Sequence, residues 1–233
     1  DHFLGLMGLL FTMHLQKRTS ELHIYSHAGL DEIITLQLKH SKSVLLYPIA
    51  FHKLTPERHE TVFEDDRVLV QTIPLTHKIT CSGFLFREKE KPRRIDKTLL
   101  PEGLLVQQIA SLKQGLDVVD DAGAVLYRNQ DITLPARRSR SYAYCSDTAF
   151  NEKIVPIIKD VDVLYHESTF AEEDITKAIE TKHSTAREAA TIATKANATK
   201  LLLVHFSARD KDQDLLATEA KEIFSNTVLA LEG

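Results

Sequence analysis

The run Leu201-Leu202-Leu203-Val204 reads as a buried strand, and it stops on a histidine, His205. A strand that runs out on a metal-type side chain is how α/β hydrolases present ligands to solvent. Four other places repeat the device: Asp1-His2 precedes an apolar segment, His77 closes 68–76, Asp147 follows 142–146, and His166-Glu167 ends 161–165. Together these endings predict a metal centre along one sheet edge of an α/β fold.

Bulk properties narrow the class. A chain of 233 residues, 43% of them hydrophobic, buries a core as one domain. With 29 basic and 33 acidic residues and a net charge of -4, it is no generic nucleic-acid coat, although a local basic groove remains open. The clusters at 89–94 and 137–140 are the candidates for such a groove, and also read as solvated loop charge. Two cysteines, Cys81 and Cys145, form no disulfide framework and suit a reducing, cytoplasmic compartment. Cys145 reads as a small core residue. The apolar run 3–13 is shorter than the roughly 20 residues a membrane span needs, and no charged leader with a cleavage site precedes it. The chain begins without methionine inside what looks like a metal motif, so the expectation is a single domain over 1–233 that is incomplete at its N-terminus.

Along the chain, 3–13 reads as a helix, 22–25 as a short strand, and 31–38 as an amphipathic helix entered through Gly29. Strands are expected at 43–50, 67–75 and 83–87. The charged segment 88–115, with Pro92 and Pro101 and one amphipathic piece at 104–112, reads as an inserted arm or lid. Asp120-Asp121-Ala122-Gly123 is a turn between two short strands. From 142 onward strands and helices alternate, which packs helices on sheet faces. Within that part, Thr185-Ala186-Arg187-Glu188 is a capping box opening a helix to about Ala196.

The candidate ligands are Asp1, His2, His77, Asp147 and His205. Imidazoles and carboxylates without a thiolate suit zinc or a similar divalent ion. A bridging carboxylate suits an ion pair, which can drive in-line phosphoryl displacement. Singly, each residue has a plainer reading: a strand-end histidine is commonly a hydrogen-bonded boundary residue, and Asp147 is placed to cap a following helix. His183 stands before the capped helix, where it could donate a proton to a leaving alkoxide or neutralise a phosphate, or be an ordinary residue preceding the cap.

Asp1-His2-Phe3-Leu4-Gly5-Leu6 with Gly8-Leu9-Leu10 resembles the tail of the His-x-His-x-Asp-His motif of the metallo-β-lactamase superfamily. Pro74-Leu75-Thr76-His77, Ser146-Asp147-Thr148, His166-Glu167-Ser168-Thr169-Phe170, His183-Ser184-Thr185-Ala186 and Val204-His205-Phe206-Ser207-Ala208-Arg209 narrow the resemblance to the ribonuclease Z family. It extends from Asp1 to at least Asp210.

The resemblance implies an αβ/βα sandwich of two mixed sheets flanked by helices, two zinc ions, pre-tRNA as substrate, a homodimer and no membrane. His77 is similar to a ligand of the first zinc, Asp147 to the bridging carboxylate, and Asp1, His2 and His205 to ligands of the second. Asp1 would also take a proton from the attacking water. His183 matches the histidine beside the scissile phosphate, while Ser207 and Arg209 fall where the family orients the loop around it. His166-Glu167 matches a segment that is structural rather than ligating. The expected activity is hydroxide attack on the phosphodiester, removing 3′ trailers.

Two departures stand out. The first histidines of the motif would lie upstream of Asp1, so the first zinc site is expected weak or empty in this chain. The arm 88–115 lacks a Gly-Pro-rich run. A small-molecule phosphodiesterase or esterase of the same fold, and a non-catalytic RNA-binding or dimer-partner module, are the alternatives.

Overall fold

The computed structural model describes residues 2–207 and 213–230. The strands are β1 (Leu22–Ser26), β2 (Ile49–Lys53), β3 (Thr61–Glu64), β4 (Val68–Pro74), β5 (Ser82–Glu88), β6 (Arg94–Ile95), β7 (Val118–Val119), β8 (Val125–Tyr127), β9 (Thr133–Leu134), β10 (Ser141–Cys145), β11 (Val163–Glu167), β12 (Lys200–Val204) and β13 (Thr227–Leu229). The α-helices are α1 (Leu6–Leu15), α2 (Leu30–His40), α3 (Val106–Lys113), α4 (Asn129–Ile132), α5 (Ile175–Thr181), α6 (Ala186–Lys195) and α7 (Gln213–Ile223).

Among the described residues the main sheet has seven strands in the order β13-β12-β11-β10-β5-β4-β3. From β13 to β10 the pairing is parallel, and from β10 to β3 it is antiparallel. Because β10 and β4 both run antiparallel to β5, the carboxyl ends of β4, β10, β11 and β12 share one edge of the sheet. That edge is where open α/β sheets bind ligands.

One face of the sheet is buried against α6 and α7, in a core that includes Leu85, Ala143, Leu164, Leu201 and Leu203 from strands and Ile192 and Leu216 from helices. The buried stripe of α6 is nearly all alanine, at positions 186, 189, 190 and 193, so the helix backbone lies close on the strands. Its entry is the capping box expected from the sequence: Glu188 N–H donates to Thr185 Oγ1 at 3.2 Å and Thr185 N–H to Glu188 Oε2 at 2.9 Å. Gly83 has a packing cause as well, since a Cβ there would collide with the carbonyl oxygen of Tyr144 on β10.

The second sheet is the parallel pair β1-β2, where Leu22, Ile24 and Ile49 pack against Met7 and Leu10 of α1 and Ile34 of α2. The expected strand 43–50 is displaced to Ile49–Lys53. Lys42 turns in the left-handed region, φ 53°, and Pro48 has no N–H to donate, so pairing starts only beyond it. The strand Thr61–Glu64 was not expected, because its run is short and flanked by charges.

Between β5 and β10 the chain leaves the sheet. The segment 88–115 belongs to a longer excursion that returns only at Ser141 and carries a small core of Leu112, Val118 and Ile132. Its two-stranded pairings are β6 with β9 and β7 with β8, the latter closed by Gly123 at φ 84°. At its neck, Arg140 Nη2 donates to Glu88 Oε1 at 2.7 Å and Lys91 Nζ to Glu88 Oε2 at 2.5 Å, contacts that hold the Glu88 carboxyl well below the usual range. Lys89 pairs with Glu64 and Arg138 with Asp162. Much of the positive charge at 89–94 and 137–140 is therefore engaged with carboxylates.

Candidate active site

Asp147 and His205 each sit just past a strand end with φ in the left-handed region, 57° and 56°. For a residue with a Cβ this backbone costs of order 1–3 kcal/mol and persists only where the surroundings hold it. Here the turn aims both side chains into one cleft: His205 Nε2 lies 3.1 Å from Asp147 Oδ1, and His2 Nε2 lies 3.1 Å from Asp147 Oδ2. One carboxylate thus faces two imidazoles. His77, past the end of β4, and His183, in the turn between α5 and α6, complete the group, with ring centroids 4.8 Å apart. His2, His77, Asp147, His183 and His205 all line one cavity of about 530 Å³.

A common device sets the rings. The Nδ1–H of His77 donates to the carbonyl of Lys182 at 2.9 Å, since a carbonyl only accepts. The Nδ1–H of His183 donates to Glu167, 3.0 Å from each oxygen. The Thr169 hydroxyl gives its proton to Glu167 Oε2 at 2.7 Å, the charged acceptor, and so accepts from His205 Nδ1 at 2.9 Å. In all three rings Nδ1 is tied back and Nε2 is left for the cleft, which is how proteins prepare imidazole for a metal or a proton transfer.

Glu167 was expected to be structural, and the structure makes it the hub of this arrangement. It is 0% exposed and accepts from the N–H of Thr148, from the N–H of Ser184 at 3.0 Å, from Thr169 and from His183. Desolvation pushes its carboxyl pKa up, but the hydrogen bonds from His183, Thr169 and Ser184 outweigh that and leave it below the ordinary value. The same bond to Glu167 raises His183 against the opposing effect of burial. Cys81 is a further support: its thiol donates to the Asp147 carbonyl at 3.2 Å, and burial pushes its pKa up to about 11, so it offers no thiolate.

The donor chemistry fits a divalent cation. Among the described residues, Asp147, Glu167, His183 and His205 each offer a ligand-type atom, all within 4.8 Å of one another. Glu167 spends its lone pairs on protein donors, which sets it apart from the ligands. With its Nδ1–H on Thr169, His205 points an Nε2 lone pair at the Asp147 carboxylate, and burial lowers its pKa, which opposes a proton there. Two lone pairs facing at 3.1 Å call for a cation.

Asp1 and Arg209 lie outside the described residues. Ser207 is half-buried with its N–H on the carbonyl of Thr169 at 3.3 Å, and is not among the described residues lining the cavity. Tyr25 and His27, from the second sheet's edge, do line it and were not foreseen. Histidine 27 could have been found only by knowing that its loop reaches Ser82, whose Oγ lies 3.0 Å from His27 Nε2.

No family model matches the chain. Over its whole length it is 48% identical to a ribonuclease Z of Cytophaga hutchinsonii, covering 74% of that protein, and 43% identical to one of Bacteroides fragilis, covering 77%. The chain belongs to the ribonuclease Z family. It is a metal-dependent endoribonuclease of tRNA 3′ processing, a phosphodiester hydrolase. Solved structures agree on the fold. Human tRNase Z, short form, superposes with a TM-score of 0.63 at 23% identity, covering 99% of this chain and 72% of that one. A metallo-β-lactamase fold protein of Bacillus subtilis gives 0.61 at 19%, covering 100% and 71%. The chain is thus a metallo-β-lactamase-like α/β sandwich, as its motifs implied. No described helix is long and apolar enough to cross a membrane.

Proposed function

We propose that the full-length protein removes 3′ trailers from pre-tRNA with two zinc ions: Asp1, His2, Asp147 and His205 would hold one, while His77 and Asp147 would contribute to the other, whose site is weak or empty in this chain taken alone. The observation that carries the reading is one cleft in which His77, His183 and His205 have Nδ1 tied back and the Nε2 atoms of His205 and His2 lie beside Asp147. When bound, the metal supplies Lewis acidity, withdrawing charge from a phosphoryl oxygen and making water a stronger acid.

The rest falls to the chain's own side chains. A water oxygen bonds to phosphorus and its proton passes to Asp1, while the bond from phosphorus to the 3′ oxygen breaks. His183 is placed to give its Nε2 proton to that departing oxygen, leaving a 3′-hydroxyl on the tRNA and the phosphate on the trailer. Glu167 keeps His183 in the right tautomer and favours its protonated form. Ser207 and Arg209 are assigned to the loop around the substrate phosphate, and the excursion containing 88–115 to an arm that meets tRNA. A homodimer and a cytoplasmic location rest on the family resemblance and complete the proposal.

The test is cleavage of a 3′-extended pre-tRNA by the full-length protein, with product ends mapped and metal measured by elemental analysis. Zinc together with a cut after the discriminator base, leaving a 3′-hydroxyl, is the expected result. Turnover of an aryl phosphodiester with no cut in pre-tRNA would assign the site to small esters instead.

A further inference from the structure

His77 borders two cavities. On one side is the cleft of the imidazoles. On the other is an open groove of about 570 Å³, lined by Lys78, Lys153 and Lys182 with Asn151 and a lone carboxylate, Glu57. The lysines come from three separate segments: the loop after β4, the turn after β10, and the end of α5. All three are exposed, and among the described residues none forms an ion pair, whereas Lys89, Lys91 and Arg140 at the neck of the excursion are each engaged with a carboxylate. In a chain of net charge -4 this is a locally basic surface, three lysines against one carboxylate.

The groove is built onto the active site. Lys182 adjoins His183, and its backbone, in the left-handed region at φ 59°, offers the carbonyl that fixes the His77 ring. The charge of Lys78 reaches His183, where it works against protonation of the ring. A cation placed there gains if a phosphate comes to lie beside it. Lysines are flexible point charges, and a positively charged groove tracks a phosphodiester backbone without regard to sequence.

We infer that Lys78, Lys153 and Lys182 form a track for the RNA phosphates that flank the scissile bond, entered over His77. This deepens the reading of the site as a pre-tRNA nuclease and rests on it. The strand in the track has two sources, the trailer or the acceptor strand, and both present the same phosphodiester chemistry.

The experiment measures binding of a 3′-extended pre-tRNA to the full-length, metal-loaded protein as a function of salt, for the parent, the three Lys→Gln variants and the triple variant. For a single strand each phosphate contact contributes about 0.7 to the slope of log affinity against log salt, so the triple variant should lose about 2. Each single variant should weaken binding and raise KM several-fold, with kcat changing less. Lys→Arg variants, which keep the charge, should restore the slope, a rescue that a merely structural role would not show. Repeating the series with the trailer cut to one nucleotide separates the sources. An effect that disappears places the trailer in the track, and one that persists places the acceptor strand there. Unchanged slope and KM in the triple variant, with the parent cleaving normally, would overturn the track alone. A parent that hydrolyses an aryl phosphodiester and neither binds nor cuts pre-tRNA would overturn the nuclease reading and the track together.

Discussion

Two groups of histidines in this molecule look alike in composition and differ in everything that matters for chemistry. In the cleft, His77, His183 and His205 hang from strand ends and turns, with Nδ1 engaged by a backbone carbonyl, a buried carboxylate and a hydroxyl. On the second sheet, His23 and His52 stand within paired strands and spend their nitrogens on each other, with Nδ1 of one 2.8 Å from Nε2 of the other. The free edge of His23 is 3.5 Å from an exposed carboxylate, Glu21, and the His52 ring stacks on Tyr25 at 4.4 Å. A shared proton already satisfies that pair. In the cleft the Nε2 of His205, like that of His2, faces the Asp147 carboxylate, an arrangement that a cation satisfies. The contrast teaches that histidine number is a poor guide to a metal site, and that the fate of each second nitrogen is a good one.

The contrast breaks most completely at Asp147. Replacing it with Asn removes the charge that faces both His2 and His205, and metal content and RNA cleavage should fall to background together. Retention of the parent's metal by elemental analysis would move the centre elsewhere. His183→Ala is next. It removes the proton donor while leaving the ligands, so kcat should drop by about 10²–10⁴-fold with KM little changed. A loss confined to KM would make His183 a binding residue.

How much of this was legible in the chain depends on the range of the interaction involved. His205 and Asp147 could be read because an apolar run ending on a polar residue is a local signal, and the Thr185–Glu188 box because capping spans four residues. Residues 43–48 are apolar enough to pass for a strand, but Pro48 decides the matter. The extent of the excursion was hidden because its small core unites Leu112, Val118 and Ile132 across weak, short elements. What fixes the rings was least legible of all. The acceptor for His77 lies 105 residues away in Lys182, and Glu167 draws its donors from Thr148, Thr169, His183 and Ser184. No local pattern announces a carboxylate whose partners assemble only when the ends of β10 and β11 meet the turn between α5 and α6.

Glu167 therefore sharpens the contrast. Glu167→Gln should reduce cleavage by about 10–100-fold, the usual cost of losing the partner that orients a functional histidine. It should also change the pH profile in a definite direction. Glu167 raises His183, so as a general acid the ring stays protonated to higher pH than an ordinary histidine. Without the carboxylate the basic limb of kcat should move to lower pH, and a limb that stays in place would separate Glu167 from proton transfer. The pair also bears on stability. The raised pKa of His183 contributes stability that is fully present below the ordinary histidine pKa and is lost as pH rises through the folded value. The lowered pKa of Glu167 contributes above the ordinary carboxylate range and is lost as pH falls through its folded value. Thermal unfolding of the metal-free parent should show this window between the two folded values, and the Gln variant should flatten it.

The smallest effect belongs to the other cluster. His52→Ala deletes the half-buried member of a satisfied pair, leaving the exposed His23 to water and to Glu21. Substitutions of this kind, away from the core, shift stability by only about 0.5 kcal/mol. The variant should keep the parent's metal content and cleavage rate, because His52 is not among the described residues lining the cleft where Asp147 faces His2 and His205. The measurement is elemental analysis and single-turnover cleavage of the two proteins side by side. A drop in metal stoichiometry on His52→Ala would mean that the paired histidines hold an ion after all, and the distinction drawn from the second nitrogen would fail at the place where it is easiest to check.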